Sequence, residues 1–159
     1  MKILIIIPVF NEEKNLERCL KSFLKQTYPI TQITVVNDGS TDGTDNILNN
    51  YSKKYNSINY LSKIDSDPYP KPGSKIIKAF NYGLERSIKD YDLIGKFDGD
   101  IELPKNYFEN MFKTTIAMIL YKTNILYSEF MSVDINKNII NIFQENFNLD
   151  LNLNKVNLV

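Results

Sequence analysis

Short apolar runs rich in β-branched residues alternate with stretches of helical periodicity, and this alternation constrains the chain more than any other feature. Ile3 to Ile7, Ile33 to Val36, Ile58 to Leu61 and Leu93 to Phe97 read as strands. A continuous apolar run is the pattern of a parallel strand covered on both faces. Pro8 is expected to end the first strand. Leu16, Cys19, Leu20, Phe23 and Leu24 then form one helical stripe, with Cys19 as a core thiol. Asn11 is expected to cap that helix, with Glu12 and Glu13 in its first turn and residues 27–29 closing it. Ile47, Leu48 and Tyr51 face inward on a helix from about Asp42 to Tyr55. Ile76, Ile77, Phe80, Leu84 and Ile88 fit another, from Ser74 to Ser87. Residues 65–73, with their prolines, read as a loop. Pro104 suits the first position of a helix carrying Tyr107, Phe108, Met111 and Phe112.

Strand alternating with helix predicts an α/β fold with a mostly parallel sheet and helices on both faces. Right-handed crossovers bring the C-terminal ends of the strands to one edge, where such sheets bind ligands. Polar clusters fall at that edge: Pro8 to Glu12, Asn37 to Asp42, and Asp98 to Glu102.

Composition removes several classes of chemistry. The chain has 159 residues, 43% of them hydrophobic, so it can bury a substantial core. Lys plus Arg and Asp plus Glu both number 19, which gives no basic excess and predicts no nucleic-acid partner. There is no histidine, so a His-based triad, a His general base and a His-ligated zinc are excluded. Cys19 is the single cysteine, so no intrachain disulfide forms. The N-terminal apolar run is interrupted by Pro8 and reads as a buried strand rather than a signal peptide. No run approaches the roughly 20 apolar residues of a membrane span. A cytoplasmic protein is expected, or one peripheral to the cytoplasmic membrane face.

Asp98 and Asp100 flank Gly99 just past an apolar strand. Two carboxylates so close call for a positive charge, and hard cations such as Mg²⁺ or Mn²⁺ take oxygen ligands and complete their shells with phosphate. A polar turn that binds nothing also fits.

Ile-Pro-Val-Phe-Asn-Glu-Glu (6–12), Val-Val-Asn-Asp-Gly-Ser-Thr-Asp-Gly-Thr (35–44) and Phe-Asp-Gly-Asp (97–100) occur in that order. Together they resemble the nucleotide-binding half of the family 2 glycosyltransferases, which have the GT-A fold. Ala79, Asn81 and Gly83 fit the family's spacing between the second and third motifs. The resemblance covers roughly residues 1 to 112. It implies a metal-dependent, inverting transfer from a nucleotide-diphosphate sugar, a UDP-sugar, to a glycan or lipid-linked acceptor in cell-envelope polysaccharide synthesis. It places Pro8, Phe10 and Glu12 along the uridine, with Phe10 against the base. Asp38 is set on the uracil or ribose, where Asn37 stands in place of a frequent first acid. Asp98 faces the ribose or the metal, Asp100 holds the metal, and Lys75 and Asn81 lie near the nucleotide. Packing for Phe10, loop capping for Asp38 and Asp42, a first helical turn for Glu12 and Glu13, and a solvated face for Lys75 and Asn81 are the alternatives.

The tail departs from the family. After Phe112 the sequence is asparagine-rich, and no catalytic base is identifiable. Glu129, Asp134, Glu145 and Asp150 are the available carboxylates. The expected organisation is a donor-binding domain over 1–112 and a divergent, incomplete tail over 113–159, as in a truncated enzyme. Other possibilities are a non-catalytic nucleotide- and metal-binding domain, and a phosphohydrolase with Asp98 as nucleophile.

Overall fold

The computed structural model describes residues 1–62 and 74–113. In chain order the elements are β1 (Ile3–Val9), α1 (Leu16–Leu24), β2 (Gln32–Asn37), α2 (Thr44–Lys54), β3 (Ile58–Ser62), α3 (Ser74–Glu85) and β4 (Leu93–Lys96). The described strands form one sheet in the order β3-β2-β1-β4, and every described pairing is parallel. The expected α/β architecture is therefore present. The sheet and its helices lie within one compact unit, Met1–Glu109. The expected loop over 65–73 and the tail beyond 113, with its candidate carboxylates, lie outside the described residues.

β1 is apolar on both faces because both are covered. Leu4 and Ile6 pack with Val36 and Ala79, the last from α3. On the other face Ile5 lies beside Gly95 and Phe97, and the Phe97 ring meets Phe23 of α1 edge-on at 5.2 Å. Phe108, at the start of the helical residues 107–113, closes the same aromatic cluster 6.1 Å from Phe97.

The strand does not stop at Pro8; it runs on to Val9. The reason is parity. The Phe97 amide donates to the Ile6 carbonyl, and the Asp38 amide donates to the Val9 carbonyl. Even-numbered residues of β1 therefore turn their backbone polar groups toward β4, and odd-numbered ones toward β2. The β1–β4 pairing ends at Ile6 opposite Lys96, so the Pro8 nitrogen faces no strand and no ladder bond is lost.

Asn11 is not the helix cap. α1 begins at Leu16, and its first intrahelical bond runs from the Leu16 amide to the Glu12 carbonyl at 2.9 Å. Asn11 instead adopts a left-handed backbone, φ 55°. Asparagine suits both places because its short amide bonds local backbone either way. Pro104 likewise precedes its helix rather than opening it: the Tyr107 amide donates to its carbonyl at 3.0 Å.

The face of α3 that meets the sheet keeps only part of the expected apolar stripe: Phe80, Leu84 and, just past the helix, Ile88 pack against the Leu4–Ile6–Val36–Ala79 cluster. Ile76 and Ile77 are 49% and 62% exposed, whereas Ala79, Gly83 and Ser87 are buried. These small residues, four apart, let the helix backbone approach β1 and β2 closely. Ser87 gives its hydroxyl proton to the Gly83 carbonyl at 2.7 Å, so Thr34 of β2 is the donor in the 2.6 Å Thr34–Ser87 bond.

Candidate functional site

Parallel pairing places the ends of β1, β2 and β4 on one edge of the sheet, and the polar clusters follow them there. The turn after β1 and the loop after β2 are interlocked. The Asn11 amide donates to Ser40 Oγ at 2.9 Å, and Asn11 Oδ1 accepts from the Thr41 amide at 2.8 Å. The Glu12 amide donates to Thr44 Oγ1 at 2.8 Å and the Glu13 amide to Asp42 Oδ2 at 3.1 Å. Glu13 Oε2 in turn accepts from the Gly43 amide at 2.6 Å. Asp42 and Glu13 thus act as braces between the loops. Desolvation pushes the Asp42 carboxyl up, but the bonds from Thr44 and the Glu13 amide outweigh it and hold it below the usual range.

The third cluster docks against the first. Gly99 is buried, and a Cβ there would stand 2.7 Å from Val9 Cγ1 and 3.2 Å from Glu12 Cγ. Only a glycine lets the Asp98–Asp100 turn sit this close to the end of β1. Further along, the Leu103 amide donates to Ser22 Oγ at 3.1 Å, and Gln26 Nε2 donates to the Pro104 carbonyl at 2.8 Å. α1 and the turn after it therefore fix the segment beyond the carboxylates as well.

Pro8 lies in β1 opposite Val36. Phe10 follows the strand and is 54% exposed, with Lys75 Nζ 5.9 Å from its ring centroid. Asp38 follows β2, with its amide on the Val9 carbonyl at 2.9 Å. Glu12 accepts from Asn15 Nδ2 at 3.1 Å. Asp98 follows the end of β4, and both it and Asp100 are exposed; Asp98 Oδ1 is paired with Lys96 Nζ at 2.5 Å. Asn81 is exposed about 200° around α3 from buried Ala79 and Gly83, so it points away from the sheet. The structure joins Lys75 to Phe10 and does not place Asn81 with them.

Some structural partners are not evident from the sequence. Lys96 reads only as part of a strand, although residues two apart on a strand share a face, and this places it beside Asp98. The bracing role of Ser40, Thr41 and Thr44 is visible there only as a density of turn formers.

Cys19 is fully buried, and its Sγ lies 3.7 Å from the Asp98 carbonyl. Burial, and then the charges of Asp100 and Glu12, push the thiol up to about 12. It is a neutral core group rather than a nucleophile.

Asp98 and Asp100 suit a hard divalent cation. Among the described residues no group of three or more His, Cys, Asp or Glu is arranged to hold a metal. Asp98 and Asp100 are the carboxylates there that could hold such an ion, and other oxygen ligands would have to complete its shell.

The family model for glycosyl transferase family 2 matches residues 4–117. The chain belongs to glycosyl transferase family 2. Among relatives in this family, glycosyltransferase GlyA of Streptococcus pneumoniae is 30% identical over 131 residues, 82% of this chain and 17% of that protein. A poly(ribitol-phosphate) beta-glucosyltransferase of Bacillus spizizenii is 47% identical over 60 residues, 36% of this chain and 10% of its own. Among solved structures, S. aureus TarS 1-349 in complex with UDP matches with a TM-score of 0.56 and 26% identity, covering 70% of this chain and 31% of that one. The same TarS fragment is also known with UDP-GlcNAc. A mannosyltransferase from Pyrobaculum calidifontis, in complex with GDP-Man and Mn²⁺, shares the fold at a TM-score of 0.51. The fold is GT-A, as the motifs imply. The chain spans about a third or less of the length of these relatives. Among the described residues no helix is long and apolar enough to cross a membrane.

Proposed function

We propose that the sheet edge binds a UDP-sugar and that this chain is the donor-binding part of an inverting transferase. The observation that carries the proposal is the docking of the three motif loops on one another, through the Asn11–Ser40 and Gly99–Val9 contacts. The half-exposed Phe10 ring offers an apolar face to a base. Lys75, beside that ring, offers charge to the phosphates. Asp38 accepts from a uracil N–H, and Pro8 and Glu12 shape the turn along the uridine. Asn81 is left out of the site because it points away from the sheet.

Asp98 and Asp100 would hold Mg²⁺ or Mn²⁺ against the diphosphate. The bound ion supplies Lewis-acid stabilisation of the charge on the departing nucleotide diphosphate. Lys96 keeps Asp98 charge-balanced in the meantime. Inversion requires a base on the acceptor hydroxyl, and none is assigned among the described residues. The acceptor class is a glycan or lipid-linked polymer of the cell envelope, at the cytoplasmic side of the membrane. The poly(ribitol-phosphate) relative supports a polymer acceptor by its name.

The test is UDP release from UDP-glucose and UDP-GlcNAc with and without Mn²⁺. Release stimulated by Mn²⁺, and reduced at least about tenfold in Asp100→Ala, is expected. Release indifferent to both would contradict a metal role for Asp100.

A further inference from the structure

Asn37 ends β2 and is buried, and both ends of its side-chain amide are used. Its Nδ2 donates to Asp45 Oδ1 at 3.2 Å, and its Oδ1 accepts from the Ser40 amide at 2.9 Å. Asp45 stands in the first turn of α2 and also accepts from the Tyr60 hydroxyl and from Asn49 Nδ2, the latter at 2.9 Å. An ionised carboxylate only accepts hydrogen bonds. Asp45, which accepts, and the Ser40 amide, which only donates, therefore both turn the Asn37 nitrogen toward α2 and its oxygen toward the loop. That oxygen holds the Ser40 amide, and Ser40 Oγ in turn takes the Asn11 amide. Bonds thus run from Tyr60 of β3, which meets the Asn37 side chain as well as Asp45, through Asp45, Asn37 and Ser40 to the turn that bears Phe10. Asp38 lies inside the segment this chain closes.

We propose that Asp45 is a positioning residue: acting through Asn37, it fixes the 37–40 loop and so the placement of Asp38 and Phe10 toward the nucleotide. The nucleotide part of this inference rests on the function proposed above; the hold on the loop does not. The arrangement also explains why an amide stands at position 37. An aspartate there would set two carboxylates against each other at a buried strand end, unless position 45 became the amide.

The competing explanation is that Asp45 merely favours the start of α2, as an acid near a helix N-terminus does. The two differ in coupling. A helix-terminus role makes the effects at 37 and 45 add, whereas a shared hydrogen bond makes them interact. In the exchanged pair Asn37→Asp/Asp45→Asn, the carboxylate takes the Ser40 amide, and the amide introduced on α2 again supplies both a donor and an acceptor.

The experiment is amide hydrogen exchange of the 38–41 segment, beside UDP titration, on the 159-residue chain. The variants are Asp45→Ala, Asn37→Asp, the exchanged pair, and Tyr60→Phe as a mild change that spares the fold. Loop exchange is expected to quicken roughly tenfold in the first two, about threefold in Tyr60→Phe, and to return near wild type in the exchanged pair. UDP affinity should follow the same ranking. Unchanged loop exchange in Asp45→Ala would overturn the inference, as would an exchanged pair no better protected than Asn37→Asp. If the wild type binds no UDP, the nucleotide assignment fails, while the exchange pattern still decides whether Asp45 holds the loop.

Discussion

Gly99 faces Val9 so closely that a methyl group on its Cα would stand 2.7 Å from Val9 Cγ1. This contact sets the two carboxylates against the end of β1, and the adjoining Glu12 Cγ, 3.2 Å away, leaves little room for adjustment. In Gly99→Ala the turn must move off the strand. Overpacking of this kind costs about 1–3 kcal/mol. A misplaced carboxylate pair should weaken Mn²⁺-dependent UDP binding by roughly tenfold or more. Chemical denaturation and titration of the same sample measure both effects.

Gly83→Ala separates packing from propensity. In an exposed helix the change would stabilise by about 1 kcal/mol. Here the new Cβ meets Val36 Cγ2 at 2.8 Å and Ile6 Cγ2 at 3.0 Å, both on the sheet. The prediction is a net loss of about 1–2 kcal/mol in urea unfolding. A gain would mean that α3 sits farther from the sheet.

These glycines show what is legible in the sequence and what is not. Strand positions are readable because β-branched runs on strands covered on both faces leave little else to form. The three motifs mark the site edge because parallel strands deliver their C-terminal ends together. The sheet-facing side of α3 is only partly readable: Phe80, Leu84 and Ile88 of the apolar stripe do pack inward, but periodicity counts large apolar residues and misses the closest approach, at Ala79, Gly83 and Ser87. Pro8 reads as a stop because its nitrogen's freedom depends on where β4 ends. Asn11 reads as a cap because the same side-chain chemistry serves a left-handed turn. The Lys96–Asp98 pair follows from a spacing of two only once the strand's extent is known, and the Asn37–Asp45 pair is a matter of side-chain distance, which sequence spacing does not determine.

Asn11 tests the interlock of the first two loops. Asn11→Gly keeps the positive φ accessible but loses the bond from the Thr41 amide. Asn11→Ala loses that bond and also bears the left-handed penalty of roughly 1–2 kcal/mol. Alanine should therefore be less stable than glycine by about 1 kcal/mol in thermal or urea unfolding. Equal stabilities would contradict the strained turn.

Cys19 gives a pH dependence of definite sign. Its thiol sits at about 12 in the folded chain against an ordinary 9.0. The unfolded chain therefore releases this proton first, so stability is full below pH 9 and declines from there toward about 12. Between roughly pH 8 and 10, wild type should lose about 1 kcal/mol more than Cys19→Ala. A thiol reagent at about pH 8 should label the native protein slowly, limited by opening of the fold. Fast labelling without unfolding would contradict the buried neutral thiol.

The docked loops are proposed to form a metal-dependent UDP site. Calorimetric titration of UDP into the 159-residue chain, with and without Mn²⁺ and beside Asp100→Ala, tests it most directly. Binding should strengthen with Mn²⁺ in wild type and lose that dependence in Asp100→Ala. Equal binding by both proteins with and without Mn²⁺, or no binding by either, would contradict it.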